Sequence, residues 1–373
     1  MTLLTDHHTA RADSDLDYQN RILVDVSRTF ALTIPQLPGR LRTVVGNAYL
    51  LCRLADTIED SEVLTLAEKR HFYDLFGAVL SGRCAAESFA ADLAPCLGGS
   101  VIPGEVDLVR NTPRVIHVFQ TFTEAEQGAL QRCVRIMAEG MEAFQKGRYS
   151  DGLPNLAYLD AYCYHVAGVV GEMLTELFCA YSPAIAERRE ALMQRAVSFG
   201  QGLQMTNILK DIHEDKQREM CWLPKDVFQN EGFELCDLSN GPGDKRFHKG
   251  LRMLAGMAHG HLENALDYTL LIPNNETGIR KFCIWAISMA VLTLRRIHGN
   301  PAYRSGAEVK ITRNSVRVTM LTTTMIVRSD PLLRLGMKVS SLGLPKIRVE
   351  AQLGDSVRHP GPAATPDRVH PLP

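Results

Sequence analysis

The segment Gly46-Asn-Ala-Tyr-Leu-Leu-Cys-Arg-Leu-Ala-Asp-Thr-Ile-Glu-Asp60 combines an apolar stretch with three carboxylates at its end. Asp56, Glu59 and Asp60 follow the spacing i, i+3, i+4, which places all three on one face of a helix. These three residues are the first carboxylate cluster. The segment predicts a helix that is apolar along much of its length and strongly negative at one spot.

A second segment, Gly200-Gln-Gly-Leu-Gln-Met-Thr-Asn-Ile-Leu-Lys-Asp-Ile-His-Glu-Asp215, repeats this arrangement. Asp211, Glu214 and Asp215 have the same spacing and form the second carboxylate cluster. The chain therefore contains two carboxylate clusters with the same spacing.

Carboxylates stacked on one helix face repel one another, so each cluster needs a compensating partner. Magnesium fits, because it prefers hard oxygen ligands and bridges carboxylates to substrate phosphates. Two facing clusters of this kind would clamp a diphosphate through several Mg2+ ions. The alternative is a solvated helix end in one case and an exposed ion-paired face in the other.

Residues beside the clusters favour the metal interpretation. Tyr49 and Arg53 precede Asp56 on the same helical face, which adds a phenol and a guanidinium. Gln204, Asn207 and Lys210 form a similar stripe before the second cluster. Amides for hydrogen bonding and cations for phosphate are what a metal-diphosphate complex requires, and Arg28 offers one further bidentate phosphate contact.

Five ordered segments resemble the squalene synthases and the wider family of head-to-head prenyl synthases, which also contains phytoene and dehydrosqualene synthases. The segments are Ser27-Arg-Thr-Phe30, Tyr49-Leu-Leu-Cys-Arg-Leu-Ala-Asp-Thr-Ile-Glu-Asp60, Tyr162-Cys-Tyr-His-Val-Ala-Gly168, Gln204-Met-Thr-Asn-Ile-Leu-Lys-Asp-Ile-His-Glu-Asp215 and Phe282-Cys283. They span most of the chain, and five motifs in order are far more specific than one acidic cluster.

The resemblance implies a transferase that condenses two farnesyl diphosphates with the help of Mg2+ and reduces the product with NADPH to squalene. It assigns the metal to Asp56, Glu59, Asp60, Asp211 and Asp215. Catalytic roles fall to Tyr162, Tyr49 and Arg53. Cofactor contacts fall to Arg28, Arg53, Lys210, Lys310, Thr312 and Arg313. Substrate contacts fall to Ser27, Arg28, Phe30, Gln204, Asn207, Lys210, Arg218 and Phe282.

One departure from the family pattern concerns the reductive step. Val309-Lys-Ile-Thr-Arg313 resembles the Lys-Ile-Arg-Lys segment through which squalene synthases hold NADPH, but Thr312 replaces an arginine. The surrounding segment 295–348 holds eleven Lys and Arg against Glu308 and Asp330. Such a patch attracts phosphates or an anionic membrane surface, or is a balanced exposed face. A non-reductive synthase of presqualene diphosphate, dehydrosqualene or phytoene therefore stays open, as does a non-catalytic prenyl-diphosphate-binding protein.

Apolar residues recur at helical spacing from Leu16 to Leu344, without the alternation typical of strands, which predicts an all-α protein. The resemblance implies a single-domain class I isoprenoid synthase bundle with a central active-site cavity. We expect a flexible N-terminal tail at 1–15, the synthase domain at 16–349 and a disordered C-terminal tail at 350–373.

Composition adds limits to function and location. With 41 Lys and Arg against 42 Asp and Glu, nucleic acid is not an expected partner. Nine scattered cysteines without a Cys-x-x-Cys pair are typical of reduced core thiols, which predicts a cytoplasmic protein. The apolar run Cys283–Leu294 is short and predicts a buried helix, so we expect no transmembrane anchor and at most a peripheral membrane contact.

Overall fold

The computed structural model of the chain describes residues 5–27, 29–99, 101–147, 149–239 and 243–359, which are mostly helical. Those residues contain no β-strand, and an isolated bridge pairs Leu153 with Pro224. The predicted all-α class is confirmed.

The α-helices are α1 Thr5–Val26, α2 Phe30–Thr33, α3 Gly39–Asp60, α4 Leu66–Leu80, α5 Ala86–Leu93, α6 Pro103–Arg110, α7 Thr112–Phe119, α8 Glu124–Gln145, α9 Leu156–Cys163, α10 Val169–Tyr181, α11 Pro183–Ala186, α12 Arg189–Gln217, α13 Lys225–Gln229, α14 Lys245–Leu271, α15 Thr277–Gly299, α16 Gly306–Val309, α17 Arg313–Ile326, α18 Asp330–Ser340 and α19 Gly354–Val357. A π-helical turn, Tyr164–Gly168, joins α9 to α10.

The helices group into two compact units. The first comprises Met1–Lys146, Glu172–Arg189 and Asn275–Cys283, and the second comprises Gly147–Gly171, Glu190–Asn274 and Ile284–Pro373. Each unit is assembled from three separate stretches of chain, so neither is a contiguous segment. The domain limits given by the sequence remain a prediction.

In the first unit, buried polar contacts hold α3 in place. Asn47 is buried on α3, and its amide donates to Gln19 Oε1 and to the Val115 carbonyl, both at 2.9 Å. Asp15, the last residue of the predicted N-terminal tail, is buried and accepts a hydrogen bond from Arg114 at 2.8 Å. These contacts link α1, α3 and α7 and thereby fix the helix that carries the first cluster.

In the second unit, glycines let α12 approach its neighbours closely. A Cβ atom at Gly200 would collide with the Ala167 carbonyl and the Gly168 amide, and one at Gly202 would press on α14 at Leu262. Only glycine permits this backbone-to-backbone packing. Ser198 hydrogen-bonds His261 Nδ1 at 2.7 Å in the same interface, and burial lowers the pKa of His261 to about 4.

Helix α15 is long and apolar enough to cross a membrane by length and composition, and 67% of its most apolar window is buried. Ile287, Val291 and Leu294 are fully buried, so the prediction of a buried helix here is confirmed. In α19, the last described helix along the chain, Gly354 and Val357 are buried. Residues 360–373, the rest of the predicted C-terminal tail, lie outside the described residues.

Candidate active site

The first carboxylate cluster occupies the last turn of α3, where Arg53 connects its acids to a second helix. Arg53 contacts Asp56 Oδ2 at 3.5 Å through one terminal nitrogen, and its Nε lies 3.4 Å from Glu105 on α6. Glu105 is 52 residues further along the chain than Arg53, so helical spacing could not reveal it. Arg53, the cation that the sequence predicts to contact phosphate, is therefore already paired with two carboxylates.

The Val26 carbonyl, at the end of α1, accepts hydrogen bonds from two predicted site residues. Tyr49 donates through its hydroxyl at 3.0 Å, and Arg53 donates at 3.5 Å. The Ser27 hydroxyl accepts from the Phe30 amide at 3.0 Å and helps to begin α2. Burial raises the pKa of Tyr49, which favours the neutral phenol that donates to the Val26 carbonyl. Arg28 lies outside the described residues.

Asp56 has an altered protonation equilibrium. Burial raises the pKa of this carboxyl to about 7, Arg53 opposes the shift, and the negative charges of Asp60 and Glu105 add to it. A bound cation would remove this unfavourable charge crowding. Asp56, Glu59 and Asp60 thus offer hard oxygen ligands in a setting that favours a divalent cation.

Two side chains from other helices hold the end of α3. Lys69 on α4 donates to the Glu59 carbonyl at 2.5 Å, and Gln145 on α8 donates to the same oxygen at 2.8 Å. They satisfy a helix-terminal carbonyl that has no partner within α3. The backbone beneath the carboxylates is therefore fixed before any ligand binds, by residues that carry no motif in the sequence.

Tyr73 of α4 lies beside this cluster, and its role is not evident from the sequence. Burial raises the pKa of its phenol, and the nearby negative charges of Glu59, Asp56 and Asp60 raise it further. Its buried hydroxyl has no hydrogen-bond partner among the described residues.

Two predicted substrate contacts, Phe30 and Phe282, form an aromatic group in the first unit. The Phe30 ring lies 5.2 Å from Tyr49 and 6.4 Å from Phe282, measured between centroids. Phe282 also meets Phe178 edge to face at 6.2 Å. Phe282 and Phe178 are buried, so this aromatic group connects the Tyr49 ring to the apolar core of the first unit.

The second carboxylate cluster lies on the accessible stripe of α12. Gln204, Asn207, Lys210 and Asp211 are all at least partly exposed, whereas Met205, Thr206, Ile208 and Leu209 between them are buried. The predicted stripe of amides, cation and acids is therefore present. The helix is interrupted at Asp211, whose φ of −102° and ψ of 16° are not helical. The break occurs at the first acid of the cluster.

Lys210 and the α16 segment partner the second cluster. Lys210 Nζ lies 2.9 Å from Asp211 Oδ2, and Glu214 Oε1 accepts the Gly306 amide at 2.8 Å. A Cβ atom at Gly306 would approach Asp211 Oδ1 to 2.9 Å and the Lys210 carbonyl to 3.1 Å, so a side chain there would displace the Asp211 carboxylate. The buried Tyr303 hydroxyl donates to the Leu209 carbonyl. Residues 303–306 are thus fixed against the acids, although 92 residues separate Gly306 from Glu214.

Tyr162 is buried on α9 and stacks on Trp222, with ring centroids 3.8 Å apart and planes inclined by 7°. A π-helical turn follows at once, and such turns occur frequently at functional sites. Burial alone raises the pKa of Asp160, two residues earlier, to about 7. Neither Trp222 nor Asp160 belongs to a motif visible in the sequence.

The basic residues predicted for the cofactor flank the start of α17. Lys310 and Arg313 are exposed, and the Thr312 hydroxyl caps the helix by accepting the Ser315 amide at 3.1 Å. A helix N-terminus beside two cations is a favourable site for phosphate. Thr312 therefore serves the helix cap. Arg218 of the substrate set is exposed just beyond the end of α12.

The donor chemistry at both clusters fits Mg2+. Glu214 Oε2 is buried without a hydrogen-bond partner in the described part of the chain, and Asp211 has a pKa raised by burial, which Lys210 opposes. Across those same residues, no three His, Cys, Asp or Glu side chains are arranged to hold a metal by themselves. Magnesium takes one or two carboxylates and completes its shell with water and substrate phosphate.

Comparison with known proteins agrees with the motifs. The model of the squalene/phytoene synthase family matches residues 23–315, which include both carboxylate clusters. The chain belongs to the squalene/phytoene synthase family, whose members are prenyl transferases.

Similar proteins with curated names are squalene synthases. A squalene synthase of Botryococcus braunii is 30% identical over 82% of this chain and 64% of its own length. One of Candida albicans is 27% identical over 81% of this chain and 66% of its own length. The chain thus spans slightly less than two thirds of these relatives.

Among solved structures, TcSQS in complex with the ligand BPH1237 has the same fold. It aligns with a TM-score of 0.71 at 22% identity, over 88% of this chain and 91% of that one. The helical architecture predicted from the resemblance is confirmed.

Proposed function

We propose that this chain is a squalene synthase that uses Mg2+ and NADPH. It would join two farnesyl diphosphates head to head to presqualene diphosphate and then reduce this intermediate to squalene. Its squalene synthase relatives support the first step. The observation that carries the second is the Glu214–Gly306 hydrogen bond, because it fixes the segment leading to Lys310 against a carboxylate cluster.

Magnesium, when bound, neutralises the leaving diphosphate and so assists cleavage of the bond between carbon 1 and oxygen. Asp56, Glu59 and Asp60 would hold it in the first unit, and Asp211 and Asp215 in the second. Arg53 and Lys210 would add positive charge toward the phosphate oxygens. Because both cations are ion-paired within the protein, binding must exchange part of each pair for a phosphate contact.

After the donor loses diphosphate, the double bond of the acceptor attacks its carbon 1, and loss of one proton closes the cyclopropane. The stacked pair Tyr162 and Trp222 offers an electron-rich surface that stabilises positive charge on carbon. A phenol is a poor base near neutral pH, so we assign the proton to a diphosphate oxygen and a positioning role to Tyr162.

NADPH, when bound, supplies the reducing equivalents for the second step. Lys310 and Arg313, at the start of α17, would contact its phosphates. A non-reductive head-to-head synthase is the second candidate, and one observation favours it. Thr312 stands where the family has an arginine, and its hydroxyl is already engaged in the helix cap.

Product analysis separates these candidates. Wild-type protein with farnesyl diphosphate, Mg2+ and NADPH should give squalene, and without NADPH it should accumulate presqualene diphosphate. The variant Lys310→Ala/Arg313→Ala removes charge-assisted contacts worth roughly 1.5–3 kcal/mol each, so its apparent affinity for NADPH should fall at least about tenfold. Formation of presqualene diphosphate should continue.

The matched control is Arg328→Ala/Lys338→Ala, which removes the same charge from exposed residues further along the segment. It should keep wild-type affinity for NADPH. If the products of the wild type do not depend on NADPH, the proposed function becomes that of a non-reductive synthase. If both double variants behave alike, Lys310 and Arg313 do not bind the cofactor.

A further inference from the structure

Helix α17 turns apolar side chains toward solvent. Val318, Leu321 and Met325 follow the spacing i, i+3, i+7 and are 59%, 63% and 84% exposed. No described side chain of this helix is buried. The apolar stripe of a surface helix normally faces the core, so this outward stripe needs another explanation.

Helix α18 repeats the pattern next to it. Leu332, Leu335 and Val339 of α18, and Leu342 just beyond its end, follow one another at spacings of three, four and three residues and are between 46% and 67% exposed. The opposite face is anchored, because Leu333 and Met337 are buried. The two helices contact each other. We refer to residues 313–342 as the apolar hairpin.

Three threonine hydroxyls of α17 are satisfied within the helix. Thr322, Thr323 and Thr324 donate their hydroxyls to the carbonyls four residues earlier, at 2.9, 2.6 and 2.6 Å. A hydroxyl bonded in this way loses little when it leaves water. Three consecutive threonines therefore do not prevent the helix from entering an apolar medium.

The charge of the hairpin identifies the medium. Arg313, Arg317, Arg328, Arg334 and Lys338 stand against one acid, Asp330. Arg334 pairs with Asp267 of α14 at 2.7 Å, and the other four are exposed. Basic side chains around exposed apolar stripes complement an anionic lipid surface. A second copy of the chain would bring the same positive charge and be repelled.

We propose that the apolar hairpin docks on the interface of an anionic bilayer. The stripes of α17 and α18 enter the boundary between headgroups and acyl chains, and Arg317, Arg328 and Lys338 contact lipid phosphates. The binding does not depend on the proposed function, since Val318, Leu321, Met325 and the α18 stripe lie outside the residues assigned to substrate or cofactor. Were the product squalene, the same surface would bring the enzyme to the phase that dissolves it.

Vesicle flotation of the full chain tests the proposal. Wild type should float with vesicles of phosphatidylcholine and phosphatidylserine and much less with phosphatidylcholine alone. Leu321→Gln/Met325→Gln should lower the partition coefficient at least about tenfold. Arg328→Gln/Lys338→Gln should weaken binding only to the vesicles that contain phosphatidylserine, and more strongly at low salt.

The matched control is Val24→Gln/Leu353→Gln, which changes two apolar residues of similar exposure, 65% and 53%, outside the hairpin. It should float like the wild type. All variants change exposed residues, and unaltered thermal unfolding verifies their fold. Three results would overturn the proposal. The wild type does not float, its binding does not depend on phosphatidylserine, or the control variant loses as much binding as Leu321→Gln/Met325→Gln. A wild-type dimer that Leu321→Gln/Met325→Gln converts to monomer would assign the hairpin to self-association instead.

Discussion

The two carboxylate clusters share one spacing in the sequence, yet the structure supports them differently. The first ends a regular helix, α3, and side chains of α4 and α8 hold its terminal carbonyl at Glu59. The second begins at a break inside α12, and a backbone amide from a distant segment holds Glu214. Identical local patterns therefore acquire different supporting contacts from their tertiary neighbours.

The charge environments differ as well. Asp56 shares Arg53 with Glu105 and has a pKa raised to about 7. Asp211 has its own cation, Lys210, at 2.9 Å. Asp56 thus shares its arginine with a second carboxylate, whereas Asp211 has a lysine of its own. We expect the first cluster to depend more strongly on bound Mg2+.

The largest expected effect comes from removing one carboxylate from each cluster. Asp56→Asn and Asp215→Asn should each lower turnover by about 100-fold or more in both half-reactions, because each loses a charged oxygen ligand. Circular dichroism should show the helical fold unchanged, since neither side chain is fully buried.

Titration with Mg2+ in the presence of inorganic diphosphate would sharpen the comparison. Asp56→Asn should lower the affinity for Mg2+ more than Asp215→Asn does. Wild-type turnover in either variant would contradict the metal assignment of that cluster, and equal Mg2+ affinities would contradict the proposed difference between them.

A smaller effect concerns the pH dependence of stability in the second unit. There, burial alone raises the pKa of Asp160 to about 7. The folded state binds the proton more tightly than the unfolded state, whose value is 3.8. Asp160 therefore favours folding fully below pH 3.8, and this contribution is lost as pH rises to about 7. Asp160→Asn should stabilise the protein at pH 8 by about 1–2 kcal/mol and have little effect at pH 4.

Urea unfolding of wild type and Asp160→Asn at both pH values measures this difference. His261, whose pKa burial lowers to about 4, destabilises the fold as pH falls and is common to both proteins, so it cancels. A stability difference that does not change with pH would show that burial does not shift the Asp160 equilibrium.

The sequence predicts the elements of the site better than their connections. Both acidic faces, the Gln204 to Asp211 stripe and the all-α class follow from helical periodicity, which is local. The partners are not local. Glu105, Lys69 and Gln145 reach the end of α3 from three other helices, and Tyr303 meets Leu209 across 94 residues. Neither their residue types nor their spacing distinguishes them from ordinary surface or core residues.

The apolar hairpin shows a different limit of sequence reasoning. A basic segment at 295–348 and apolar residues at helical spacing are both visible in the sequence. Periodicity reveals that a stripe exists but not which way it faces. The outward direction follows only from the structure, in which Leu333 and Met337 turn inward and Leu335 and Val339 turn outward.

The smallest expected effect distinguishes two buried tyrosines, one beside each cluster. Tyr303 donates its hydroxyl to the Leu209 carbonyl, so Tyr303→Phe should cost about 1–2 kcal/mol of unfolding free energy. The Tyr73 hydroxyl has no hydrogen-bond partner among the described residues. Tyr73→Phe removes an unsatisfied polar group and should be neutral or stabilise by up to about 1 kcal/mol. Urea unfolding measures both, and each variant is the volume-matched control of the other.

Turnover gives the second readout: a Tyr73→Phe protein of unchanged stability that loses activity would show that this hydroxyl is kept for the ligand of the first cluster. If Tyr73→Phe instead destabilises as much as Tyr303→Phe, the hydroxyl has a partner in solution, and the first cluster is as fully supported as the second.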